Sequence, residues 1–227
     1  MTATIEGQSV TYTYTPADGA PETKIFDVFI PEDVARPRIS VIAGYVGDII
    51  ASDPENVIIS EVEKGGKQLT KAIMDEVTER DASLQPQRMP IRATRYHGAE
   101  AAAELTVEKD FDTTPGALEG KTVIIIDEVV DAAVVAEWSI KRARELGAKA
   151  VIFVTLANKP NAEGRREINP NLFIVGFDNI PEWAFLLGWG MDWHEDGREL
   201  TAIYRERDPR TAGYTVPDMP ARILQAA

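Results

Sequence analysis

The chain opens on an alternation: Val10, Tyr12 and Tyr14 share one face and Thr11 and Thr13 the other, ahead of the turn-rich run PADGAPET. Period two followed by turn residues predicts a short strand or hairpin outside the main sheet. From Pro37 the period lengthens, with Ile39, Ile42, Val46, Ile49 and Ile50 at helical spacing, and this predicts a helix of roughly 13 residues with Pro37 in its first turn. Asn56 to Val62 reads as a strand that runs into Lys64-Gly65-Gly66, and Leu69, Ala72, Ile73, Met74 and Val77 then mark a second helix. Residues 88 to 97 and 102 to 107 are expected as two further strands around the small-residue stretch Gly98-Ala99-Glu100-Ala101.

The clearest unit runs from Lys121 to Thr155. Val123 to Ile126 is an apolar run ending in Asp127-Glu128, a helix is expected near 134 to 147 with Gly147 closing it, and Ala150 to Thr155 is a second apolar run. Strands apolar on both faces, joined by a crossover helix, form a βαβ unit in a parallel sheet. Leu172 to Val175, Ala184 to Trp189 and Leu200 to Arg205 are strand-like, and the tail from Asp208, with Pro209, Pro217 and Pro220, reads as an extension. No internal repeat or low-complexity tract interrupts this α/β pattern.

Composition narrows the function. With 227 residues, 44% of them hydrophobic, the chain can build a sizeable single core. Its 37 acidic against 24 basic residues give a net charge of -13, which disfavours nucleic acid and anionic membranes as partners. The absence of cysteine excludes disulfides, thiolate catalysis and Cys-ligated zinc, and two histidines, His97 and His194, leave no His-rich metal site. No apolar run of about 18 residues and no signal-peptide pattern is present, so a cytoplasmic location is expected.

Three features carry candidate chemistry. Asp127, Glu128 and Asp131 follow an apolar strand, the place where open α/β sheets bind ligands. Carboxylates there can accept sugar hydroxyls, face a cation's water shell or act as a base; equally, they can decorate a loop and the start of the next helix, where negative charge is favoured. Lys64-Gly65-Gly66 can offer an ammonium and backbone N–H groups to phosphate, or can be a plain turn. Trp183, Phe185, Trp189 and Trp193 suit a core, an interface or a platform for a base.

Taken in order, these pieces resemble one family. Val123-Ile-Ile-Ile-Asp-Glu-Val-Val-Asp131 is similar to the acidic ribose-binding motif of phosphoribosyltransferases. The run from Phe173 to Trp193, followed by Asp196-Gly-Arg-Glu-Leu200, resembles the "GF-x-IP … GYG-x-D … R-x-L" pattern of the hypoxanthine/guanine branch. Lys159 in Leu156-Ala-Asn-Lys-Pro stands where that branch has its purine-recognising lysine, and Lys64-Gly65-Gly66 matches its pyrophosphate loop. The likeness covers roughly residues 30 to 206.

The resemblance implies a type I phosphoribosyltransferase fold: a central, mainly parallel sheet flanked by helices, with a small hood. It implies an N-terminal extension at 1–24, the domain proper at 25–207 and a tail at 208–227. By the same resemblance, Asp127 and Glu128 would hold the ribose hydroxyls, and the turn Ala132, Ala133, Val134 and Val135 would face the phosphoribosyl group. Asp131 would serve as base near the purine N7. Lys159, Phe185 and the backbone of Leu186 would bind the purine, Lys64, Gly65 and Arg198 would meet pyrophosphate, and Asp192 would contact the magnesium shell. A purine would displace pyrophosphate from phosphoribosyl pyrophosphate, with Mg²⁺ expected only if the protein is catalytic, in a homo-oligomer.

The chain departs from the family in two places. Where the family reads Thr-Gly-x-Thr, this chain reads Ala132-Ala133-Val134-Val135, losing two hydroxyls that are each worth roughly 1.5–3 kcal/mol against a charged group. In the lid, Arg95-Tyr96-His97 keeps the tyrosine and lacks the serine. Two functional classes follow: a working purine phosphoribosyltransferase, or a non-catalytic relative serving as a nucleotide-binding regulator or a structural module.

Overall fold

The structure is a computed structural model that describes residues 2–97, 100–208 and 222–225. Its strands and helices follow the chain as β1 (Thr2–Glu6), β2 (Ser9–Tyr14), β3 (Glu22–Ile30), α1 (Glu32–Ser52), β4 (Val57–Glu61), α2 (Gly66–Arg80), β5 (Gln87–Arg88), β6 (Arg92–His97) and β7 (Glu100–Lys109). They continue as β8 (Thr122–Val130), α3 (Val134–Glu145), β9 (Ala150–Asn158), β10 (Leu172–Phe177), β11 (Leu186–Leu187), β12 (Ile203–Glu206) and β13 (Arg222–Gln225).

The main sheet has the order β13-β10-β9-β8-β4-β5, parallel throughout except for β13, which pairs antiparallel with β10. Its central strands are apolar on both sides because both sides are covered. Ile124, Ile126, Val154 and Ile174 pack under α1 and α2, while Val123, Ile125, Val151, Phe153 and Phe173 pack under α3. The expected βαβ unit is present, with Ile125 opposite Phe153 in register. Several bounds differ from the sequence reading, as where the expected strand at 184–189 shrinks to β11 and that at 88–97 divides into β5 and β6, and two matter most. β8 runs to Val130, so Asp127 and Glu128 lie within the strand, Asp127 beside Thr155 of β9. α1 begins at Glu32, so Pro37 sits inside the helix and not in its first turn. The missing N–H of Pro37 costs α1 one hydrogen bond, and burial of Ala35 and Ile39 on either side offsets that loss.

A second, antiparallel sheet of order β1-β2-β3-β12-β11 forms a hood. The alternating N-terminal segment supplies its β1–β2 hairpin, and Val10, Tyr12, Phe26, Leu187 and Trp193 form its core. In the tail, β13 adds an edge strand to the main sheet, whereas Pro209, Pro217 and Pro220 lie outside the described residues. Among the described residues no helix is long and apolar enough to cross a membrane.

Candidate functional site

A cavity of about 610 Å³ lies between the carboxyl ends of the main-sheet strands and the hood. Every residue to which the family resemblance gives a role lines it: Lys64, Gly65, Asp127, Glu128, Asp131 to Val135, Lys159, Phe185, Leu186, Asp192 and Arg198. Parallel strands place these residues together, since β4, β8 and β9 end on the same side and each hands its next loop to the same crevice.

Lys159 follows β9, and its Nζ donates to Asp131 Oδ2 at 2.9 Å; the lysine side chain is only 7% exposed. The base candidate and the purine-lysine candidate therefore touch each other. A residue that the sequence reading missed frames this pair. Arg165 donates through Nη1 to the carbonyl oxygens of Asp131 (2.9 Å) and Lys159 (3.0 Å), and through Nη2 to Asn158 Oδ1 (2.8 Å). It ties the β8 and β9 loops into one piece. Burial lowers the pKa of Arg165, while Asp131 and Asp178 oppose the shift. The Arg165-Arg166 pair after Lys159 was the only signal in the sequence.

Asp127 and Glu128 share the floor of the cavity. Burial, with the neighbouring Glu128 charge second, holds the Asp127 carboxyl well above the usual range, and burial likewise raises Glu128. Asp127 Oδ1 accepts the Glu128 backbone N–H at 3.1 Å. Glu128 Oε2 is buried without a hydrogen-bond partner among the described residues. Gly65 packs directly on the Glu128 carboxylate, where a Cβ would collide with it.

The loop from Gly188 to Arg198 forms the opposite wall. Arg198 pairs with Asp192 at 2.7 Å and donates to the Gly190 carbonyl at 2.7 Å, and Lys64 pairs with Glu195 at 2.7 Å. Burial raises the Asp192 carboxyl against the opposing pull of Arg198. Together with Arg92, which pairs with Glu108 at 3.0 Å, each cationic side chain described in the cavity wall has an acidic partner. On the hood side, Phe185 lies 6.2 Å from Phe26, with Lys24 over its ring at 5.4 Å. The side chains of Arg95, Tyr96 and His97 lie outside what the structure describes.

The turn from Ala132 to Val135 is aliphatic, and no side chain caps α3. Ala133 has φ 59° and ψ 18°, the left-handed conformation that costs a residue with a Cβ roughly 1–2 kcal/mol. Glycine removes that strain but makes the unfolded chain freer. Ala133→Gly is therefore expected to raise stability by about 0.5–1 kcal/mol in urea unfolding, and an unchanged midpoint would argue against strain at this turn.

No family model matches the chain. Curated relatives include the hypoxanthine-guanine phosphoribosyltransferases of Bacillus subtilis and Mycobacterium avium. The first is 31% identical over 103 residues, 45% of this chain and 53% of the relative. The second is 29% identical over 127 residues, 55% of this chain and 58% of the relative. The chain thus spans little more than half the length of these relatives. Among solved structures, a hypoxanthine phosphoribosyltransferase from Staphylococcus aureus superposes with a TM-score of 0.64 at 19% identity, covering 83% of this chain and 94% of that one. The Trypanosoma cruzi enzyme in complex with the product IMP gives 0.63 at 23% identity, covering 81% and 94%. These likenesses establish the type I phosphoribosyltransferase fold.

Proposed function

We propose that this chain, hypoxanthine/guanine phosphoribosyltransferase-like in sequence and a type I phosphoribosyltransferase in fold, transfers a 5-phosphoribosyl group from phosphoribosyl pyrophosphate to a purine base. One observation carries the reading: residues from five separated motifs converge on a single cavity, in which Asp131 and Lys159 are in contact. In this reading the molecule is a cytoplasmic homo-oligomer whose ligands are a purine and phosphoribosyl pyrophosphate, with no nucleic-acid or membrane partner.

Each residue has a role that its surroundings suit. Buried carboxylates at Asp127 and Glu128 accept the ribose hydroxyls, which would satisfy the unpartnered Glu128 Oε2. Phe185 stacks on the base and the Leu186 backbone reads its edge. Lys159 turns from Asp131 to the exocyclic oxygen, which frees Asp131 to accept a hydrogen bond from the N7 side. Lys64, Gly65 and Arg198 meet the pyrophosphate as it leaves. The 5′-phosphate falls to backbone N–H groups at the start of α3, because Ala132, Ala133, Val134 and Val135 offer no hydroxyl.

The family implies Mg²⁺. Among the described residues no three acidic or histidine side chains converge as a metal cluster. The fit is therefore to an ion carried largely by pyrophosphate and water, with Asp192 facing its shell; bound there, it would offset the pyrophosphate charge.

Isothermal titration with phosphoribosyl pyrophosphate and Mg²⁺, and separately with GMP and IMP, tests this. Micromolar uptake of phosphoribosyl pyrophosphate is the expected result, and no uptake of any of the three overturns it. The aliphatic turn favours a second reading, a catalytically inactive nucleotide-binding regulator or assembly module. That reading predicts nucleotide uptake without turnover, or none, and no gain when Thr-Gly-x-Thr is restored at 132–135.

A further inference from the structure

Unmet hydrogen-bond demand gathers at this cavity. Among the described residues, Glu128 Oε2, Trp193 Nε1, His194 Nε2 and Arg198 Nε are all buried without a partner, and all four residues line it. Buried polar atoms are normally satisfied, so a wall with several orphans points to a polar ligand. Glu128 and Arg198 already have roles above; His194 does not.

The position of His194 is held from two directions. Its backbone sits in the left-handed region at φ 51°, which fixes where the ring leaves the loop. Tyr14, the last residue of β2, stacks on the imidazole with centroids 3.8 Å apart and planes 9° from parallel, while Trp193 meets it edge-on at 4.9 Å. Trp193 packs in turn against Phe26 of the hood core, and Phe26 against Phe185, each at 6.2 Å. The imidazole and Phe185, the ring assigned to the base, thus line the same cavity and are linked behind it through the hood core. A neutral imidazole nitrogen can donate or accept, which matches the mixed donors and acceptors on the edge of a purine.

We infer that His194 is a further base-recognition residue that hydrogen-bonds the purine through Nε2, with Tyr14 of the N-terminal hairpin as its positioning residue. The inference rests on the purine reading of the cavity. It also gives the β1–β2 hairpin a functional role, since the hairpin carries one side of the stack that orients the histidine.

The test compares IMP, which carries a base, with phosphoribosyl pyrophosphate, which does not, by isothermal titration of the full chain. His194→Phe keeps a ring under Tyr14 and removes Nε2; it is expected to weaken IMP about tenfold and to leave phosphoribosyl pyrophosphate within twofold. Tyr14→Ala should act in the same direction, and Tyr14→Phe, which keeps the stack, should restore wild-type affinity. Thermal midpoints within a few degrees of wild type show that the variants fold. Unchanged IMP affinity in His194→Phe, or an equal loss for both ligands, overturns the inference, the latter by moving the contact to a phosphate. If the wild type binds neither ligand, the transferase reading fails separately, and free hypoxanthine becomes the deciding ligand. Weaker hypoxanthine binding by His194→Phe then sustains the base contact, and no binding or no difference ends it.

Discussion

Gly190→Ala is expected to destabilise the protein by about 3–5 kcal/mol and to abolish ligand uptake in the same titrations. Two costs combine. Gly190 has φ +100°, outside the small left-handed region open to residues with a Cβ. A Cβ there would also run into the carbonyl oxygen of Gly65 and come within 3.4 Å of Glu128 Cβ. The first obstacle is backbone and cannot rotate aside, so the loop carrying Asp192 and Arg198 must move away from the turn carrying Lys64. Gly116→Ala separates the two costs, because Gly116 has φ +83° with nothing within 4 Å of an added Cβ, and it should lose only about 1 kcal/mol. Urea unfolding of both variants gives the comparison. Equal losses would mean that the close approach of Gly190 to Gly65 is unimportant.

That approach also shows which parts of the molecule were legible in its sequence. Val123 to Ile126 and Ala150 to Thr155 announced the parallel core because strands covered on both faces leave an unbroken apolar run. The candidate site residues were legible because most lie at or just beyond the end of an apolar strand, in a recognisable order. The hood was less so: β11 is two residues long, and β12 finds its partner in β3, far away in the chain. Nothing local in Tyr14 says that it will stack on His194, nor in Lys64 that Glu195 will pair with it. The start of α1 was hidden because Pro37 looks like a helix beginning, while the burial of Ala35 that carries the helix upstream of it is a tertiary fact. Arg165 was invisible for the same reason: an arginine in a polar loop reads as solvated until the carbonyls it bridges are placed around it.

The remaining large effect is a gain of stability at the cost of function. Asp127→Asn combined with Glu128→Gln is expected to stabilise the protein at pH 7 by about 1–3 kcal/mol while weakening phosphoribosyl pyrophosphate at least tenfold. Both carboxyls have folded-state pKa values above their unfolded values, Asp127 chiefly through burial and then the Glu128 charge, and Glu128 chiefly through burial. For groups shifted in this direction, the contribution to stability is full below the unfolded carboxyl range near pH 4 and is lost as pH rises through the raised folded values. Wild type therefore carries a penalty at neutral pH that the amide variant lacks, and the penalty shrinks in acid. The amide introduced by Asp127→Asn would keep an oxygen for the backbone N–H of residue 128, so the local hydrogen bond need not be lost. Carboxyls shifted the other way, such as Asp27 beside Arg207 and Glu195 beside Lys64, are common to both proteins and cancel in the comparison. Thermal midpoints measured from pH 4 to pH 8 should start close together and diverge in the variant's favour, with uptake lost throughout. A variant less stable than wild type at pH 7, or a gap that does not change with pH, would mean that these carboxylates already have partners that compensate their burial.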